Sequence, residues 1–192
     1  MRRSLIIKNV IPFIFLFLLL IGGAILADWF LHAIGYVWIG RYFGIAGTIL
    51  IAASFIYSLR KYKWIRRGSP KRLLLVHEYL TWIGSLMILI HGGIHFNALL
   101  PWYAIAAMII AVASGLTGKF LLKRSSEAIA FRREVLQKRG MDSESIDRQL
   151  FWDALVFDLM KKWRLVHLPI TLFFGLLAFL HILTIFIFWS WR

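Results

Sequence analysis

Cysteine is absent from all 192 residues. Without thiolates no iron–sulfur cluster can be ligated, no haem can be attached through Cys-x-x-Cys-His, and no disulfide can form. Any redox group must therefore be held non-covalently. Acidic side chains are scarce, nine against 23 Lys and Arg, and seven of the nine fall between positions 123 and 163. No Gly-x-Gly-x-x-Gly loop occurs, so the dinucleotide-binding turn has no counterpart. Nor, beyond a pairing of histidines, is there an internal repeat or a low-complexity tract. What fills the chain is apolar: 60% of residues are hydrophobic and the mean hydropathy is +0.75. That excludes an ordinary soluble domain and points to an integral membrane protein.

Five apolar stretches are long enough to cross a hydrocarbon core of about 30 Å, which takes about 20 helical residues. They are placed at 10–34, 42–59, 73–96, 99–122 and 168–191. The first follows Arg2, Arg3 and Lys8, as a signal peptide would. It is too long for a signal h-region and lacks a small-x-small exit, so it is read as a span.

The net charge of +14 would suggest nucleic acid in a soluble protein, but the basic residues fall on one side of the expected membrane. Arg2, Arg3 and Lys8 precede span one. Arg60, Lys61, Lys63, Arg66, Arg67, Lys71 and Arg72 fill the loop between spans two and three, and eleven more lie between Lys119 and Arg164. Only Arg41 and Arg192 fall on the other side. The positive-inside rule then predicts a multi-pass protein of the cell (inner) membrane with a cytoplasmic N-terminus and an outer C-terminus. The charge is topology, and no nucleic-acid partner is expected. Trp29, Trp38, Trp102, Trp189 and Trp191 mark the outer boundary, and Trp64 and Trp163 the inner one, as interfacial belts do.

The segment 123–164 is polar and reads as a cytoplasmic helical insert. Two helices are predicted, at 126–138 and 144–163, broken at Arg139-Gly140, with Asp142 or Ser143 as the cap of the second. Ile146, Leu150, Ala154 and Phe157 recur near helical period, giving either a helix that lies on the membrane surface or a docking face for a cytoplasmic partner.

Histidine carries the chemical signal. His77 and His91 lie in span three, His167 and His181 in span five, and each pair is 14 residues apart. At the helical rise that is about 21 Å, and 14 steps of about 100° fall roughly 40° short of four turns, so each pair shares a face. Both spans run outward, which levels His77 with His167 near the inner surface and His91 with His181 near the outer one. Neutral imidazoles above and below a porphyrin are what a bis-histidine haem requires. Ionisable groups inside membranes are costly and usually functional. The bland alternative is that each histidine hydrogen-bonds to a neighbouring helix. Two haem b groups are expected, an inner one on His77 and His167 and an outer one on His91 and His181.

Smaller features surround these pairs. Gly84 lies midway between His77 and His91, and Gly175 midway between His167 and His181, where a missing side chain leaves room for a macrocycle. Gly44, Gly47, Gly115 and Gly118 serve either that purpose or close helix packing. His95 follows His91 by one turn; as the ligand it would spoil the match with span five, so His91 is preferred. His95 is left to a haem propionate, quinone proton chemistry or plain solvation. Glu78, beside His77, is a candidate proton carrier or an ion-pair partner. Arg72, Lys71, Lys119, Lys123 and Arg164 are candidate inner propionate partners and Arg41 the outer one, against a plain topological role for each. His32, at the outer end of span one, is read as interfacial.

The run from Leu75 through His77, Glu78, Gly84 and His91 to His95 resembles the haem-bearing helix of ferric-reductase-like transmembrane domains, NADPH oxidases among them. The later stretch from Leu165 and His167 to Leu180 and His181 resembles its parallel partner. The four-helix part of respiratory cytochrome b has a similar plan. The resemblance covers roughly 41–191 and implies a haem-binding four-helix bundle of spans two to five, with span one added. Ferric reductases and NADPH oxidases usually continue into a flavin and nicotinamide domain, which this sequence lacks, and the quinol-oxidation motif of respiratory cytochrome b is missing too.

The expectation is an all-α integral membrane protein that carries electrons across the bilayer. It would connect a quinone pool or cytoplasmic donor to an outer partner such as a multihaem cytochrome c or an iron–sulfur protein. It would be a subunit of an oxidoreductase complex with no catalytic residues of its own. One alternative is a terminal ferric or oxygen reductase using the outer haem; another is a haem-free structural or assembly protein.

Overall fold

A computed structural model describes residues 2–94 and 98–188. His95, Trp189, Trp191 and Arg192 lie outside the described residues, as do the side chains of Lys123, Trp163 and Arg164. The elements are α1 (Arg2–Ala33), α2 (Ile39–Ser54), α3 (Ile56–Lys61), α4 (Pro70–Ile94), α5 (Leu99–Leu116), a π-helical turn (Thr117–Leu122), α6 (Lys123–Lys138) and α7 (Ser143–Phe188). No strand occurs among the described residues. Five stretches are long and apolar enough to cross a membrane: Val10–Ala33, Ile39–Lys61, Pro70–Ile94, Leu99–Phe120 and Leu165–Phe188. The protein is an all-helical, multi-pass membrane protein, its apolar outer faces suited to lipid.

The chain divides into two compact units, Met1–Phe15 with Ala113–Pro169, and Leu16–Val112 with Ile170–Arg192. In the second unit α2 and α4 cross with their backbones in contact. A Cβ on Gly47 would stand 2.8 Å from the Gly84 carbonyl oxygen, and one on Gly84 would stand 2.9 Å from that of Gly47. Small residues allow this approach, which is how membrane helices gain packing without a hydrophobic drive between them. One apolar cluster joins Ile51 of α2, Ala104, Ala107 and Met108 of α5, and Phe174 of α7, with Ile88 and Leu89 of α4 against it. A second joins Ala24 and Leu31 of α1 to Ile90 of α4. Span one is thus packed against α4 rather than standing apart.

Two boundaries differ from those read in the sequence. Helix α2 begins at Ile39, so Arg41 sits in its first turn and not in a preceding loop. Helix α7 runs unbroken from Ser143 to Phe188, where two separate elements at 144–163 and 168–191 were predicted. The basic run Lys161, Lys162 and Arg164 marks a change of polarity but contains no helix breaker. Pro169 forfeits one hydrogen bond inside α7 and does not end it, as membrane spans permit.

The first unit holds a helical hairpin. Gly140, at φ 74°, makes the turn between α6 and α7, and the Met141 N–H reaches back to the Leu136 carbonyl at 3.3 Å. Arg132 pairs with Asp153, and Arg133 with Asp147 at 2.6 Å. Ile146 and Leu150 are 1% and 3% exposed. The leading half of the predicted apolar face is therefore buried in protein; Ala154, further along, is exposed.

Asp142 is the cap: its Oδ2 accepts the Ser145 N–H at 3.1 Å. The Ser145 hydroxyl, and after it the Ser145 backbone N–H, hold the Asp142 carboxyl below its usual value of 3.8. Because the folded-state pKa is depressed, this stabilisation is complete above the unfolded value and fades as the pH falls through the lower folded one. Asp142→Ala is expected to lower the hydrogen-exchange protection factor of the Ser145 amide at neutral pH and to remove the loss of protection on acidification that is expected of the native chain.

Candidate functional site

The His91 and His181 rings, from α4 and α7 of the second unit, stand side by side. Their centroids are 6.5 Å apart and their planes are inclined by 52°. Two metal–nitrogen bonds of about 2.0 Å, with about 1.2 Å from each nitrogen to its ring centre, span at most about 6.4 Å, so the two imidazoles are near enough for both to be candidate ligands of one metal.

His91 is fixed from behind. Its Nδ1 lies 3.0 Å from the Gly40 carbonyl oxygen. A carbonyl only accepts, so Nδ1 carries the hydrogen and the lone pair resides on Nε2. Metal-bound histidines characteristically donate their second N–H in this manner. Gly44, one turn after Gly40, makes the ring's place: a Cβ there would fall 2.8 Å from Cγ, Nδ1 and Cδ2 of His91.

His77 repeats the arrangement one level along α4. Its Nδ1 donates to the Ser54 carbonyl at 3.1 Å, where Phe55 interrupts the path from α2 to α3. The Tyr57 ring flanks it at 5.4 Å. Thr81 Oγ1 donates to the His77 carbonyl at 2.7 Å.

His167 belongs to the first unit. Its Nδ1 lies 2.6 Å from the Ser114 hydroxyl oxygen, and Ser114 is fully buried. A Cβ on Gly115 would come to 3.5 Å from the His167 Cε1. The π-helical turn begins two residues later at Thr117, a departure from α geometry frequent near functional sites.

Of the predicted pairs, His91 and His181 are brought together; His77 and His167 lie in separate units, each with its own orienting partner. Gly84 lies against the α2 backbone, so its small size is used for the helix crossing. Gly175 has nothing within 4 Å of a Cβ. Glu78 is half-buried beside His77, while Arg72 and Arg41 are exposed in the first turns of α4 and α2. Among the described residues no three or more His, Asp or Glu gather as a metal site, and axial haem ligation asks for only two imidazoles.

Sequence reasoning missed Ser114 and Asp28. Ser114 carries no sequence signal, since serine is ordinary in membrane helices. Asp28 had one: it is an acid inside an apolar span. Comparison with family models, curated proteins and solved structures finds no match for this chain.

Proposed function

We propose that this protein is a membrane di-haem cytochrome b, a subunit that passes electrons across the bilayer between a quinone pool or cytoplasmic donor and a partner outside. His91 and His181 would hold one haem, His77 and His167 the other. The observation that carries this reading is the His91–His181 pair, with centroids 6.5 Å apart and the His91 Nδ1 held by the Gly40 carbonyl. The 14-residue repeat of histidines on two spans supports a second site.

Haem would supply reversible one-electron chemistry at its iron. The chain's own part would be to present four imidazoles and, at His77, His91 and His167, to orient the ring and set its basicity through the partner of Nδ1. The distribution of Lys and Arg supports a cell-membrane protein with its N-terminus in the cytoplasm. A multihaem cytochrome c or an iron–sulfur protein is the proposed redox partner.

The test is a reduced-minus-oxidised absorption spectrum of the purified full chain, with haem measured per polypeptide. Reduced b-type bands at two haems per chain are expected. A colourless preparation would instead favour an assembly protein, in which the same hydrogen bonds only tie helices together.

Ser114→Ala is a finer check. Loss of an orienting partner behind a metal-bound histidine typically weakens the site about 10- to 100-fold. The variant is expected to shed or shift the potential of one haem in a redox titration and leave the other unchanged.

A further inference from the structure

Asp28 is an acid within the apolar stretch Val10–Ala33, and its Oδ1 is buried with no hydrogen-bond partner among the described residues. The carboxyl occupies a notch on α4: a Cβ on Gly93 would stand 3.1 Å from its Cγ and 3.3 Å from both oxygens. Gly93 is two residues beyond His91. One turn further on α1, His32 does not satisfy the carboxyl; its Nδ1 donates to the Asp28 backbone carbonyl at 2.9 Å and stays 3.5 Å from Oδ1. The side chain as a whole is 27% exposed, so the carboxyl is within reach of a donor from outside, and a buried acceptor oxygen is costly until one is supplied.

The surroundings narrow the donor. Ile25, Leu26 and Trp29 of the same helix are more than three-fifths exposed, in a stretch that lipid would cover. A ligand reaching Asp28 must therefore travel in the membrane and carry a hydroxyl hydrogen. A bound cation is a poor fit, because only His32 stands beside the carboxyl and no group of three or more His, Asp or Glu gathers there among the described residues. We infer that Asp28, seated in the Gly93 notch beside His32, is the headgroup acceptor of a site for a membrane-soluble hydroxylated aromatic of the quinol class. The quinol hydroxyl donates to Oδ1, and the apolar ring lies along α1. The choice of a quinol rests on the electron-transfer reading above; the orphaned acceptor does not.

The experiment is equilibrium dialysis of the detergent-solubilised full chain against a hydroxyquinoline N-oxide, a quinol analogue with one acidic hydroxyl. Saturable binding is expected for the native chain. Asp28→Leu is expected to weaken it by about tenfold or more, the usual worth of a hydrogen bond to a charged group. Asp28→Asn, which keeps shape and an uncharged acceptor, is expected to fall between the two, and it decides the matter should Asp28→Leu not fold. Native-like binding by Asp28→Asn together with Asp28→Leu, or by Asp28→Asn alone if the other is not obtained, overturns the site, as does absence of saturable binding in the native chain. Dialysis does not depend on colour. A colourless protein whose binding still responds to Asp28 would sink the haem reading and leave this site standing; a red protein indifferent to Asp28 would do the reverse.

Discussion

His91→Ala and His181→Ala are each expected to purify with one haem in place of two, and the double variant with one as well. On the proposed reading the two rings, with centroids 6.5 Å apart, share one metal, so removing either imidazole would empty the same position. Residues acting as a unit lose their effect once, which makes the pair strongly non-additive. His77 sits 14 residues away along α4 and its Ser54 partner at the end of α2, outside the reach of either change, so the remaining haem should keep its spectrum. His95→Ala should retain both. Haem per polypeptide, with the reduced spectrum, reads all four variants. Additive loss in the double variant would mean that His91 and His181 bind different groups. Bleaching of one haem by His95→Ala would move the ligand one turn along the chain.

How far the sequence carried these conclusions depends on the kind of feature. The five spans were legible because apolar length is a one-dimensional property, and the structure moves their ends by only a few residues. The histidine spacing was legible for the same reason, since 14 residues on a helix fix a face without reference to any neighbour. What was not legible is everything set by register between helices. That the Gly40 carbonyl, 51 residues from His91, holds its Nδ1 depends on how α2 crosses α4. That Ser114 meets His167 depends on α5 and α7 in the same way. The continuity of α7 was missed for a different reason: Lys161 to Arg164 change the solvent in which the helix lies, and polarity was read as a boundary although the backbone has no cause to stop there. Asp28 was legible as an acid in an apolar span, a costly group to keep there, but its place against Gly93 is again set by how α1 meets α4.

Gly84 and Gly175 hold matching positions between their histidines, yet opposite responses to the same substitution are expected. At Gly84 a Cβ would meet the Gly47 carbonyl oxygen at 2.9 Å and Ile51 Cγ1 at 2.8 Å. The first of these is backbone and cannot rotate away, so α2 and α4 must separate. Overpacking of this kind costs about 1–3 kcal/mol where side chains can adjust, and more is expected against a rigid carbonyl. Separation of α2 from α4 would also withdraw the Gly40 and Ser54 carbonyls from His91 and His77 together. Gly84→Leu should therefore lower the thermal midpoint in detergent and lose both haems at once. At Gly175 a Cβ meets nothing within 4 Å, so Gly175→Leu should fold and melt as the native chain does. A drop in haem at unchanged yield in that variant would mean that the space beside Gly175 is taken by a porphyrin edge; unchanged haem would mean that the residue merely faces lipid. Native-like melting of Gly84→Leu would contradict the backbone contact between α2 and α4 on which both histidine positions depend.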